Sequence, residues 1–156
     1  MREPLVIGVG NTLRGDDGVA AQLLSSWHDA PDVLLVPQLT IDLAPIIAQH
    51  PAVLIVDAAV CLAPGEWTLE KVRGCASTHS AFGHELNPGE LIAVTEALFG
   101  AIVDVDLLCI GAQQFDRADT LSPAVKQVLP DVLDTVREWW AARADVQPET
   151  TTLLES

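Results

Sequence analysis

The first element of this chain lies in Val6-Ile-Gly-Val-Gly-Asn-Thr-Leu-Arg-Gly-Asp-Asp-Gly18, an apolar strand that runs into a glycine-rich turn. A turn of this kind often cradles phosphate at the start of the next helix. Here it brings two neighbouring carboxylates, Asp16 and Asp17, to that position. A helix N-terminus favours negative charge, so these carboxylates take the place of a phosphate. Two acids at the end of a buried strand are better suited to holding a cation, and the stretch therefore indicates a metal site.

Apolar runs rich in β-branched residues alternate with helical patterns along the rest of the chain. The predicted strands are Leu5–Val9, Val33–Val36, Ala52–Val56, Glu66–Val72 and Val103–Ile110, and the predicted helices are Gly18–Trp27, Asp42–Ala48, Pro88–Phe99 and Pro123–Ala144. This alternation is typical of α/β units around a mainly parallel sheet. The Glu66–Val72 run follows the turn signal Ala63-Pro-Gly65, and we predict that it is an antiparallel edge strand.

The predicted fold class is α/β, with a single domain over residues 1–144 and a mobile tail over residues 145–156. A twisted, mainly parallel sheet of about five strands is expected, with helices on both faces and one antiparallel edge strand. Asn87-Pro88 and Ser122-Pro123 each place a capping side chain before a first-turn proline, as at a helix start. Pro130 lies inside the last helical pattern and is predicted to kink that helix or to divide it.

Composition limits the classes of function. The 156 residues fit one domain, and the apolar fraction of 49% favours a sheet buried on both faces. A formal charge of −14 with only 8 basic residues argues against nucleic acid as a partner. No targeting signal is visible, and no apolar run approaches the roughly 20 residues that span a bilayer. Three cysteines without a C-x-x-C pair suit a reducing compartment. We therefore expect a cytoplasmic protein without membrane contact.

Several polar residues follow the predicted strands, at the sheet edge where open parallel sheets bind ligands. Asp57 comes directly after the Ala52–Val56 strand, and Gln38 and Thr40 follow the second strand. A loop that enters the Pro88–Phe99 helix also carries His79 and His84. Carboxylate and imidazole donors from separate loops suit zinc, nickel or manganese, with water or substrate in the remaining positions.

Each of these residues also has an ordinary structural interpretation. Asp16 or Asp17 could cap the following helix, and Asp57 could be a turn residue. Both histidines could be exposed loop residues. The cysteines, Cys61, Cys75 and Cys109, have the pattern of small buried apolar side chains, and only Cys75 falls near the predicted site.

Other site chemistries fail on specific positions. A dinucleotide fingerprint would need glycine where the chain has Leu13, and an acid where it has Val36-Pro-Gln38. The chain also has no phosphate-binding G-x-x-x-x-G-K-[ST] sequence, no G-x-S-x-G elbow of a serine hydrolase and no H-E-x-x-H helix of a zinc protease.

Three motifs resemble those of the hydrogenase maturation endopeptidases, in that family's order and at similar spacing. They are Gly8-Val-Gly-Asn-Thr-Leu-Arg-Gly-Asp-Asp-Gly18, Ile55-Val-Asp-Ala58 and His84-Glu-Leu-Asn-Pro-Gly-Glu-Leu-Ile92. Ile110-Gly-Ala-Gln and Leu121-Ser-Pro are similar to the family's closing segments, so the resemblance covers roughly residues 4–140. It implies an endopeptidase that removes a C-terminal extension from the large-subunit precursor of a nickel–iron hydrogenase after nickel insertion.

The resemblance also implies a ligand set. The family's metal-contacting residues correspond to Asp17, Asp57 and His84, with Asp16 supporting the first loop. Relatives often carry glutamate at the first of these positions, and Asp17 is one methylene shorter. After the second strand, Gln38-Leu-Thr-Ile-Asp-Leu43 is similar to the type that serves bidirectional, NAD-coupled hydrogenases. Gln38 and Thr40 thereby become candidate substrate-recognition residues, together with Asp16.

Two roles of the metal stay open at this stage. The trio could detect the substrate's own nickel, which is the interpretation that we favour, or it could hold zinc or another divalent ion that activates water or the scissile carbonyl. Two other function classes would use the same residues. One is a metal-dependent module that binds the hydrogenase subunit without cutting it, and the other is a metal-dependent hydrolase of a small molecule.

Overall fold

The computed structural model describes residues 3–10, 18–59, 61–75, 86–111 and 121–144. The strands are β1 (Leu5–Val9), β2 (Val33–Val36), β3 (Ala52–Ala59), β4 (Trp67–Val72) and β5 (Asp104–Gly111), and the helices are α1 (Val19–Ser25), α2 (Ala44–Ile47), α3 (Pro88–Phe99) and α4 (Pro123–Ala144). A short 3₁₀ turn, Ile41–Leu43, leads into α2. Within these residues the strands form one sheet in the order β2-β1-β3-β5-β4. The predicted α/β class is confirmed.

The sheet is parallel except at one edge. β1 lies between β2 and β3, and β3 pairs with β5 over its whole length, all of them parallel. β4 pairs antiparallel with β5, so the prediction of one antiparallel edge strand is confirmed. β3 and β5 are apolar for most of their length because the neighbouring strands and the helices on both faces exclude water from them.

Alternate residues of each strand build two separate cores. Val6, Leu54 and Leu108 belong to the core beneath α1 and α4. Ile7, Ile55 and Val105 belong to the other core, beneath α2 and α3. The side chain that a strand residue presents to one core or the other therefore follows from its position in the alternation.

The helix boundaries agree with the predictions at α3 and α4. Of the two effects predicted for Pro130, division of the last helix does not occur, since α4 continues through it, and a kink stays a prediction. The loss of one backbone bond at Pro130 is outweighed by the apolar side of α4, on which Val125, Val132 and Val136 are fully buried. Ser122 precedes α4 and accepts the Lys126 amide through its own carbonyl, while a capping role for its side chain stays a prediction.

No helix within the described residues is both long enough and apolar enough to cross a bilayer. The predicted tail, residues 145–156, lies outside the described residues.

Candidate functional site

The carboxyl ends of β1, β2, β3 and β5 meet at one edge of the sheet, because these strands are parallel neighbours. Asp57 lies there, in the last half of β3, directly opposite Cys109 of β5. Beyond the end of β1, the Gly10 amide donates to the Val36 carbonyl at the end of β2, 3.0 Å away. This bond fixes the ends of β1 and β2 next to each other. Asp57 is at the middle of the carboxyl edge, because β3 is the central strand.

Asp57 presents its carboxylate on the α3 side of the sheet, as the alternation from Val53 and Ile55 requires. The side chain is half-buried, and its Oδ1 accepts the Ala58 amide at 2.8 Å. Burial, followed by the nearby charge of Asp57, raises the pKa of the Cys109 thiol to about 11. Cys109 therefore stays a neutral thiol at neutral pH.

The segment that enters α3 lies beside the loop after β2. The Leu86 amide donates to the carbonyl of Leu39 at 2.9 Å, and the Leu39 side chain is buried. Leu39 stands between Gln38, which is exposed, and Thr40, which is half-buried. Gln38 and Thr40, which are predicted to recognise the substrate, are therefore next to the segment that enters α3 at Leu86.

The start of α3 is held in place by several bonds. Asn87 Oδ1 accepts the Glu90 amide at 2.8 Å, and Glu90 Oε1 accepts the Asn87 amide at 2.9 Å, which is a complete capping box. The Cys75 amide donates to the Gly89 carbonyl at 3.0 Å. A Cβ on Gly89 would lie 2.6 Å from Cys75 Sγ and 3.1 Å from the Arg73 carbonyl oxygen, so a larger residue there would require the thiol to move. The predicted cap at Asn87 is confirmed.

The other end of α3 leads away from this edge. After α3 the Asp104 amide donates to the Pro51 carbonyl at 3.2 Å, where β3 and β5 begin. α3 therefore runs from the carboxyl edge of the sheet to the opposite edge, and its N-terminus is on the Asp57 side. A helix N-terminus at this edge adds a positive dipole end to the region of Asp57.

The described residues include only part of the predicted site. Asp57, Gln38 and Thr40 lie at the carboxyl edge, as predicted, whereas Asp16, Asp17, His79 and His84 lie outside the described residues. The convergence of Asp17, Asp57 and His84 on one ion therefore stays a prediction. The described part of the chain, to which Asp17 and His84 do not belong, contains no group of three acidic, histidine or cysteine side chains that could hold a metal.

The cysteines differ from the prediction that they are buried apolar residues. Cys61 and Cys75 are exposed and Cys109 is half-buried, and all three are free thiols. Their positions explain this outcome, because Cys61 and Cys75 lie in connections and Cys109 lies near a strand end. That prediction was wrong for Cys61 and Cys75.

One cluster was not predicted. Asp106 of β5 is buried beneath α4, where its Oδ2 accepts Trp139 Nε1 at 2.7 Å and Arg143 Nη2 at 3.0 Å. Lys71 of β4 bonds to Asp104, and its ammonium lies 3.4 Å from Asp106 Oδ1. The only signal in the sequence is a charged residue inside an apolar strand, and its partners are distant along the chain.

Solved structures with the same fold include several peptidases. HybD, a hydrogenase maturating endopeptidase from E. coli, has a TM-score of 0.66 and 20% identity, covering 87% of this chain and 90% of that one. A [NiFe] hydrogenase maturation protease, HybD from Thermococcus kodakarensis, has a TM-score of 0.67 and 21% identity, covering 90% and 99%. A hydrogenase 2 maturation peptidase from a Thaumarchaeota archaeon has a TM-score of 0.62 and 20% identity, covering 88% and 97%.

These similarities confirm the predicted resemblance at the level of the fold. The sequence itself matches no protein-family model and no curated protein.

Proposed function

We propose that this chain is a hydrogenase maturation endopeptidase, a cytoplasmic enzyme that removes the C-terminal extension of a [NiFe]-hydrogenase large-subunit precursor. One observation carries the proposal: in a sheet with the fold of those peptidases, Asp57 stands at the carboxyl edge on the side where α3 begins. The described parts of the three motifs that resemble the family support the proposal, because residues 8–10 lie along the end of β1, residues 55–58 belong to the second half of β3 and residues 86–92 begin α3.

Asp17, Asp57 and His84 are the proposed metal contacts. Carboxylate oxygen and imidazole nitrogen suit nickel, zinc and other borderline divalent ions. Asp57 fits this role, because it is half-buried and belongs to the carboxyl edge rather than to the packed interior of the sheet.

The metal in this proposal is the nickel of the precursor and thus part of the substrate. The trio would complete the coordination of nickel that is already held by the precursor, so an unloaded precursor would not be bound productively. A zinc or other divalent ion held by the trio is the alternative, and it would supply polarisation of the scissile carbonyl or an activated water.

Recognition of the precursor is assigned to the loop after β2. Gln38 offers an exposed amide, and Thr40 offers a half-buried hydroxyl beside the Leu39–Leu86 bond. Asp16 is assigned to support of the first loop. The Gln38-Leu-Thr sequence favours a precursor of the bidirectional, NAD-coupled type.

The test is cleavage of purified precursor, with and without nickel, followed by mass measurement. Asp57→Asn and His84→Ala are expected to leave the nickel-loaded precursor uncut, and Asp131→Asn, an exposed acid of α4, serves as the matched control. Normal processing by either variant would remove that residue from the site. A wild-type chain that binds the loaded precursor without shortening it would show a binding module instead of a peptidase.

A metal titration separates the two roles of the ion. If the nickel belongs to the substrate, the chain alone should bind nickel and zinc weakly, and cleavage should depend on loading of the precursor. Tight zinc binding by the chain alone, with cleavage of unloaded precursor, would favour a resident metal.

A further inference from the structure

β4 is an edge strand with one unpaired side among the described residues. The hydrogen-bond pattern identifies which of its backbone groups face outward. The Gly111 amide donates to the Glu66 carbonyl at 2.6 Å, and Trp67 is opposite Ile110. Hydrogen-bonded and non-hydrogen-bonded pairs alternate along an antiparallel ladder. Because the neighbouring residues Glu66 and Gly111 are hydrogen-bonded, Trp67 and Ile110 form a non-hydrogen-bonded pair. Trp67 therefore directs its amide and carbonyl away from β5.

The same alternation applies along the strand. Thr68, Glu70 and Val72 bond to β5, whereas Trp67, Leu69 and Lys71 present their N–H and C=O groups to the open edge. The side chains of these outward-bonding residues lie on the α4 side of the sheet, since Trp67 packs into the core beneath α4. A strand added here would place alternate side chains over that side.

The two edges of the sheet differ in how they are protected. β2 has four residues and is bracketed by Pro31 and Pro37, which limit the pairing of another strand. β4 has six residues and contains no proline. A lysine on an edge strand commonly discourages pairing, but the ammonium of Lys71 is turned inward to Asp104 and Asp106.

A groove of about 340 Å³ runs between β4 and the second half of α4. Its lining includes Leu69, which is 40% exposed, together with Trp139 and Ala142. The exposed Glu138 belongs to the same lining on the α4 side, and Glu70 belongs to it on the strand side. Glu70 directs its side chain to the other face of the sheet, because it pairs with Leu107.

We propose that the open edge of β4 binds an extended, basic segment of a partner polypeptide by strand addition. Main-chain bonds to Leu69 and Lys71 would give affinity, and apolar side chains would fill the groove over Leu69 and Trp139. The intervening basic side chains would lie beside Glu70, on the opposite face. The cations of the groove are already neutralised, because Lys71 and Arg143 are bonded to Asp104 and Asp106. The remaining charge of the groove, Glu138, is negative, and so is Glu70 on the opposite face of the sheet.

Charge complementarity selects this occupant over a second copy of the chain. Two copies joined at β4 would bring Glu70 and Glu138 of each towards those of the other, in a chain whose formal charge is −14. The added strand would lie three strand spacings from Asp57, about 14 Å away. This binding surface is therefore separate from the proposed metal contacts and does not depend on the proposed peptidase activity.

The test uses two synthetic peptides, Lys-Val-Lys-Val-Lys-Val and Glu-Val-Glu-Val-Glu-Val, both with blocked ends, and the whole chain. Calorimetry measures affinity, and hydrogen exchange measures protection of individual amides. We expect the basic peptide to bind, more weakly at high salt, and to slow exchange at the Trp67, Leu69 and Lys71 amides. The acidic peptide should not bind.

Two variants refine the test. Leu69→Pro removes an outward amide without removing a bond to β5, and it should weaken binding of the basic peptide about fivefold or more. Glu70→Lys should weaken it about two- to fivefold, while the matched control Asp131→Lys leaves it unchanged. If Leu69→Pro fails to fold, the Glu70 and Asp131 pair and the exchange data decide.

Three outcomes would overturn the proposal. They are equal binding of the acidic peptide, an absence of protection at the β4 amides when the basic peptide is bound, and a dimer of the free chain in which those amides are already protected. A Glu70→Lys chain that binds the basic peptide as tightly as the wild type would remove the electrostatic part.

Discussion

Asp57 and Asp106 are aspartates of neighbouring parallel strands with opposite surroundings. Asp57 is half-buried at the carboxyl edge of the sheet, on the α3 side. Asp106 is buried on the α4 side, opposite Leu54 in the middle of the sheet, and it accepts bonds from Trp139 and Arg143. Burial with several donors gives Asp106 a structural role, whereas the position of Asp57 at the carboxyl edge is the one that our proposed metal contact requires.

The largest expected effect is on stability and separates the two aspartates. Asp106→Asn should lower the free energy of unfolding by about 2 to 3 kcal/mol, because Arg143 and Lys71 lose the carboxylate that balances them. Asp57→Asn should change it by less than about 1 kcal/mol. Urea unfolding of both variants measures this difference. If both variants lowered the free energy of unfolding equally, Asp57 would contribute as much to stability as Asp106.

The second prediction concerns how tightly the edge around Asp57 is built. Gly111 ends β5 two residues after Cys109, and a Cβ there would overlap the carbonyl oxygen of Ala63. Gly111→Ala should therefore lower the free energy of unfolding by about 2 kcal/mol.

Gly100→Ala is the matched control for that variant. Gly100 has a φ of +65° but nothing within 4 Å of an added Cβ. Gly100→Ala should therefore lower the free energy of unfolding by about 1 kcal/mol through backbone strain alone. If Gly111→Ala cost no more than Gly100→Ala in the same unfolding experiment, the edge would be looser than its contacts indicate.

The different predictability of the two aspartates has a physical basis. The position of Asp57 at the carboxyl edge is predictable from local order, since it follows an apolar run and its neighbours resemble a known motif. The full length of β3 is not predictable in this way. Among the described residues, Asp57–Ala59 belong to the sheet through their pairing with Cys109–Gly111, which are distant along the chain. The role of Asp106 was also missed, because Arg143 is 37 positions away and only the fold brings them together.

Helix boundaries follow the same division between local and distant causes. The bounds of α3 are predictable because its start signal is local. Asn87, Pro88 and Glu90 lie within four consecutive positions of the chain. A division of the last helix at Pro130 is an expectation from local chemistry, and the distant packing of α4 on the sheet keeps that helix continuous. The predicted metal trio is of the distant kind, since Asp17, Asp57 and His84 are far apart along the chain.

The Asn87 cap at the start of α3 should have a smaller effect on stability. Asn87→Ala removes the side-chain acceptor for the Glu90 amide at the start of α3 and should lower the free energy of unfolding by about 1 kcal/mol. Asn87→Ser should restore most of that loss, because serine is also a good cap. Unfolding curves for both variants test the point, and no recovery with serine would mean that the loss does not come from the cap.

The smallest expected effect is a difference in alkaline stability between the two aspartate variants. The pKa of Cys109 is raised from 9.0 to about 11, by burial first and then by Asp57. The unfolded chain therefore releases this proton at lower pH than the folded chain, and stability falls as the pH rises from about 9 to about 11. Asp57→Asn removes one cause of the shift, so its stability should fall less steeply over that range.

Asp106→Asn should leave that range unchanged and act at higher pH. The pKa of Lys71 is raised above 10.5, chiefly by its bond to Asp104 and with a contribution from Asp106, so this part of the stability is lost as the pH rises past 10.5. Urea unfolding at a series of pH values, with Cys109→Ser as the reference without the thiol, separates the two ranges. Because Cys109 and Lys71 lie on opposite sides of the sheet, a variant of either aspartate that altered both ranges equally would contradict the two separate environments described for them.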